Sequence, residues 1–121
     1  MERQIIWSSR ELVGREGLMY LETSECTKIN DLVTIDEPMM IENINVGVVL
    51  NTMDDEGEEY NTIIITDAEG NKYSTSSENF IRKFKEIVDY LNSHNDTEPY
   101  SIKVYKKMGK NSNPFITCNI I

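Results

Sequence analysis

One stretch of this chain has clear helical periodicity, and most of what surrounds it reads as strand. In TSSENFIRKFKEIVDYLNS, residues 75–93, the apolar side chains Phe80, Ile81, Phe84, Ile87, Val88 and Leu91 fall on one face of an α-helix. Arg82, Lys85, Glu86 and Asp89 fall on the other face. Thr75 with Glu78 fits a capping box, Ser76 and Ser77 are alternative caps, and Asn92 to Asp96 is a turn-compatible stop. A single apolar helical stripe must be buried against something else, and the flanking sequence offers a sheet.

Met40 to Met53, MIENINVGVVLNTM, is rich in Ile and Val and reads as one strand, with Gly47 marking a bulge or tight bend. DDEGEE at 54–59 is a turn, and YNTIIIT at 60–66 is the next strand. Asp67-Ala68-Glu69-Gly70 is a hairpin turn that leads into a short strand, NKYS, at 71–74. After the helix, YSIKVYKK at 100–107 puts Ile102 and Val104 on one face and Ser101, Lys103 and Tyr105 on the other. GKNSNP is a loop and FITCNII, 115–121, the last strand. The order strand, strand, strand, helix, strand, strand is that of the OB-fold, an order that other small α+β folds with strand runs broken by a single helix also share. The expected fold is therefore mainly β: an OB-fold-like five-stranded barrel with one α-helix between strands 3 and 4, plus an N-terminal extension. Residues 1–39 would pack on a barrel of residues 40–121 in a single domain. Within the extension, IIW at 5–7 and LMYLE at 18–22 read as short added strands, and TKINDLVTIDEP at 27–38 as a turn of helix or a loop.

Composition narrows the function classes. The formal net charge is −9, but it is unevenly spread: residues 1–69 carry 4 basic and 16 acidic side chains, residues 70–121 carry 8 and 5, and no acid follows Glu98. An acidic total argues against coating duplex DNA by charge alone. It leaves room for a local basic groove, because salt screens charges beyond about 8–10 Å. No apolar run approaches a membrane span, and MERQIIWSSRELVG lacks the apolar stretch of a signal peptide, so a cytoplasmic protein is expected. Cys26 and Cys118 form no CxxC pattern and read as free thiols, although the sequence alone also permits a disulfide. With one histidine, His94, in a turn-like stretch, no metal site and no cofactor is expected.

Catalytic signatures are missing: there is no P-loop, no GxGxxG and no G-x-S-x-G. The acid-rich DDEGEE does not match a calcium loop. The chain is therefore not expected to be an enzyme. What remains is aromatic plus basic, the combination that binds single strands by stacking bases and tracking phosphates. The candidate nucleic-acid-binding residues are Tyr73, Tyr105 and Tyr60 with Lys72, Lys103, Lys106, Lys107 and Lys110. Most of the lysines lie in KVYKKMGKNSNPF, 103–115. Trp7 and Phe115 are expected in the core.

The stretches IIITDAEGNKYSTSSENFIRKFKEIVDYL and EPYSIKVYKKMGKNSNPFITCNII resemble the single-stranded DNA-binding proteins of protein-primed Bacillus phages. KINDLVTIDEPMMIENINV is similar to their lead into the first barrel strand, and SSRELVGREGLMYLE faintly to their N-terminal segment. The resemblance implies an OB-fold protein that coats displaced strands in phage DNA replication without sequence preference. It matches Tyr73 to the family's tyrosine before the helix, and Lys103, Lys106, Lys107 and Lys110 by type to its basic hairpin. The family's first-strand and loop tyrosines have no counterpart in VGVVLNTMDDEGEE, where Tyr60 is nearest. The expected partners are single-stranded DNA and other replication proteins, with no membrane, for a monomer or homodimer. The alternative is an acidic phage protein-interaction module, a DNA mimic or an inhibitor of a host nuclease or defence factor.

Overall fold

The computed structural model describes residues 2–121. Over these described residues the architecture is mainly β, with eight strands in two sheets and two helices. In chain order the strands are β1 (Glu2–Ser8), β2 (Thr27–Lys28), β3 (Met39–Ile41), β4 (Ile44–Met53), β5 (Glu59–Asp67), β6 (Lys72–Thr75), β7 (Ile102–Met108) and β8 (Pro114–Ile120). A short helix α1 (Ile29–Leu32) follows β2, and α2 (Glu78–Ser93) lies between β6 and β7. One sheet has the order β1-β4-β5-β6-β2, and the other β3-β7-β8. Among the described residues no ladder joins β6 to β8, so the strands stand as two sheets rather than one closed ring.

The expected strand 40–53 is two strands. Asn43, at φ 52°, breaks the chain between β3 and β4, and its N–H donates to the Ser101 hydroxyl at 3.0 Å. Before the break the chain pairs with β7; after it, with β1 and β5. The bulge expected near Gly47 lies just before it, between Ile44 and Val46. Gly47 itself meets a different demand. A Cβ there would stand 2.5 Å from Cε1 of Phe84, so only glycine admits the ring against the strand. In the N-terminal region the expected strand at 5–7 is found within β1, whereas 18–22 is not a strand: a 3-10 turn covers Glu16–Tyr20.

Strand alternation splits the core in two. One face of the five-stranded sheet turns Val49, Ile63 and Ile65 toward Phe80, Phe84 and Val88 of α2 and toward Ile102, Val104, Ile116 and Cys118 of the second sheet. The opposite face carries Val46, Val48, Leu50 and Ile64, covered by Leu12, Tyr20, Leu21 and Cys26 from the segment between β1 and β2. Cys26 and Cys118 are both free. Trp7 packs half-buried on the main core, edge-on to Phe84 at 6.2 Å between centroids.

The expected caps of α2 resolve in favour of Ser77, whose hydroxyl accepts from the Phe80 N–H at 3.4 Å. Thr75 instead donates to the Asn30 side chain at 2.7 Å and accepts from the Ser77 N–H at 3.2 Å. Ser77→Ala is expected to cost about 1 kcal/mol in chemical unfolding, the usual loss of an N-cap. No helix among the described residues is long and apolar enough to cross a membrane.

Candidate nucleic-acid interface

The outward face of the β3-β7-β8 sheet brings basic and aromatic side chains together. On β7, Lys103, Tyr105 and Lys107 alternate with the buried Ile102 and Val104, so they share the side away from the core. Across the ladder they stand opposite Asn119, Thr117 and Phe115 of β8. On the other side Met40 of β3 stands opposite Lys103 and is 50% exposed. The face thus combines two lysines, two aromatic rings, two polar side chains and an exposed methionine, with no carboxylate on β7 or β8. Lys110 is exposed in the loop that closes the hairpin.

The Tyr105 ring is already oriented. Its hydroxyl accepts from the Asn119 side-chain amide, and Lys107 Nζ stands over the ring at 5.1 Å from the centroid. Phe115, expected in the core, is half-buried on this outward face, because the residue opposite Lys107 must point the same way as Lys107. Gly109 makes room for it: a Cβ there would stand 3.2 Å from the Phe115 ring and 3.0 Å from the Asn113 carbonyl.

The other candidates are dispersed. Lys106 stands opposite Ile116 on the core-facing side of the hairpin and is half-buried. Lys72 and Tyr73, adjacent on β6, point to opposite faces of their sheet. The Lys72 ammonium donates to the Met19 carbonyl at 3.0 Å and lies 5.9 Å over the Tyr20 ring, pinning the N-terminal segment. Tyr73 packs half-buried against the main core. Its rim is acidic: a shallow hollow beside it is lined by Met40, Glu42, Asp67 and Glu69. Burial, then Asp67 and Glu69, raise the Tyr73 phenol above its usual pKa. Tyr60 is 44% exposed on β5, at the far end of the five-stranded sheet, opposite Thr52.

Asp67 shapes the turn beside Tyr73. Its carboxylate accepts from the Glu69 N–H, the Asn71 N–H and the Asn71 side chain, each at 3.0 Å. Burial pushes its pKa up, but these hydrogen bonds outweigh burial and hold it below the ordinary value of 3.8. A folded-state pKa below that of the unfolded chain means stability that is present above the unfolded value and lost as the pH falls through the folded one. Asp67→Asn is therefore expected to flatten the acid limb of a stability–pH profile, read from urea midpoints below about pH 4.

The residues that sequence reasoning missed are Asn119 and Thr117, which complete the outward face, and Arg3, Lys28, Thr52 and Ser74, which surround Tyr60. The first pair could have been found by carrying the period-two reading of β7 across to β8; the second set comes from four separate strands. Among the described residues no group of three His, Cys, Asp or Glu side chains is placed to hold a metal ion. The fold and this face define a mainly β protein with a basic, aromatic sheet surface. Comparison with protein-family models, with curated proteins and with solved structures gives no significant match.

Proposed function

We propose that this protein binds single-stranded DNA without sequence preference, as a non-catalytic protein that protects displaced strands during phage DNA replication. The observation that carries the reading is the outward face of β7 and β8, where Lys103, Tyr105, Lys107 and Phe115 converge with no carboxylate on either strand. Stacking on an aromatic ring contributes about 1–3 kcal/mol per base and depends little on net charge. The acids crowd the first 69 residues, so the repulsion they exert on a strand lying on the C-terminal hairpin is weakened by screening.

The strand order fits the same proposal. Counting β3 and β4 as one bent strand, the series continues through β5, β6, α2, β7 and β8, which is the OB order with its helix between strands 3 and 4. On that reading the DNA-binding surface is formed by the last hairpin and its Lys110 loop. Tyr73 contributes at the margin, through the hollow it shares with Met40.

A fluorescent oligo-dT titrated at low and at moderate salt tests the function. Salt-sensitive binding supports it. No change in anisotropy at micromolar protein overturns it and favours a protein-interaction module acting through the acidic N-terminal half.

A further inference from the structure

We propose that the depression around Tyr60, at the open end of the five-stranded sheet, binds the phosphate group of a small ligand. It is a separate surface from the β7-β8 face. The N-terminal segment covers the apolar part of its sheet face and stops short of the end, where the strands turn polar. There Arg3, Thr52, Tyr60, Thr62, Ser74 and Lys28 line a depression of about 660 Å³. The register explains the grouping: Arg3 pairs with Thr52, Thr52 with Tyr60, Ser74 with Ile64 (four residues along β5 from Tyr60), and Lys28 with Ser74, so all of these project from the same side.

Two features point to an oxyanion. First, the lining carries two cationic groups and a concentration of hydroxyls but no carboxylate, although both cations and most of the lining come from residues 1–69, which hold 16 of the 21 acids. A metal ion would want the opposite set. Second, Thr52 and Ser74 are only 2% and 8% exposed, and neither hydroxyl pairs with another protein group. No fully enclosed polar side-chain atom among the described residues lacks a partner, so these two hydroxyls keep what access they have through the depression. Hydroxyls held at the wall of this depression, with no protein partner, are free to donate to an oxyanion seated in it.

The surroundings fit. Arg3 is held by the Leu21 carbonyl at 3.0 Å, and the Thr62 and Ser76 hydroxyls bond each other at 2.8 Å on the rim. Ser76 and Ser77 bring the N-terminus of the 16-residue α2 to the same rim, adding the positive end of its dipole. Glu22 lies within electrostatic reach of Arg3 but is not part of the lining, and its carboxylate accepts from the Ser24 N–H at 2.8 Å.

The test titrates the intact, isotope-labelled chain with inorganic phosphate at constant ionic strength, followed by amide NMR. The expected result is saturable shifts at Thr52 and at residues 74–79. The double variant Thr52→Val, Ser74→Ala should weaken binding about tenfold or more, since it removes two hydrogen bonds to a charged group. Lys28→Gln should do the same, and retained spectral dispersion shows that both variants fold. Thymidine monophosphate identifies the source of the phosphate. Tighter binding than phosphate alone, lost in Tyr60→Ala, assigns it to a nucleotide; equal affinity assigns it to free phosphate. Shifts that do not saturate, shifts confined to residues 103–119, or unchanged affinity in the variants would overturn the proposal.

Discussion

Phe84→Ala is expected to lower the stability of this protein by about 3–5 kcal/mol, the range for removing a buried aromatic ring from a core. The ring is fully buried, edge-on to Trp7 and parallel to Phe80 with their centroids 6.3 Å apart. It is the side chain that joins α2 to the middle of β4 at Gly47. Nothing in the neighbourhood can close the cavity cheaply, since the neighbours belong to a helix and a central strand. Thermal unfolding should therefore move down by about 10 °C or more. A companion measurement isolates the cause. Gly47→Ala alone should cost about 1–3 kcal/mol, because its methyl would stand 2.5 Å from the ring. In the Phe84→Ala background that clash is gone, so the double variant should be more stable than the sum of the singles, by about 1 kcal/mol or more. Strict additivity would mean that the ring does not lie against Gly47.

That contact shows what the sequence could and could not reveal. The α2 stripe was legible because six apolar side chains keep one helical face and serines precede it. Gly47 was legible as a special position but not as a slot for Phe84, which lies 37 residues away in the chain. The break at Asn43 was hidden because MIENINVGVV reads as continuous strand, and the bend is imposed by two different partners, β7 before it and β5 after it. The same logic governs the candidate site. Lys103, Tyr105 and Lys107 were legible because period-two alternation is a local property. Lys72 and Tyr73 looked like one site because they are neighbours in sequence, which in a strand sends them to opposite faces. Phe115 looked like core because it is apolar, but its position opposite Lys107 is fixed by the hairpin register, which depends on how the 109–113 loop closes. The depression around Tyr60 draws on segments from Arg3 to Ser77, and no local pattern announces it.

The register also decides which substitutions should matter for DNA. Tyr105→Ala is expected to weaken oligo-dT binding by about 5- to 150-fold, the loss of one stacked base. Lys103→Gln with Lys107→Gln should act differently, lowering the slope of log affinity against log salt by about 0.7 for each lysine that contacts phosphate. Lys106→Gln and Lys72→Gln serve as internal controls of nearly the same composition. Lys106 faces the core side of its hairpin, and Lys72 is committed to the Met19 carbonyl, so each should leave the salt slope close to that of the wild type. Their effect on stability is a separate readout, since Lys72→Gln removes a contact that fastens the N-terminal segment. The contrast between the two pairs makes the experiment informative. Net charge changes by the same amount in each double variant, so a response that followed charge alone would treat them alike. A salt slope that falls equally for Lys72 with Lys106 as for Lys103 with Lys107 would show diffuse attraction rather than a strand seated on β7 and β8. A Tyr73→Ala variant that loses more affinity than Tyr105→Ala, with unchanged thermal stability, would move the base-stacking surface to the β6 edge.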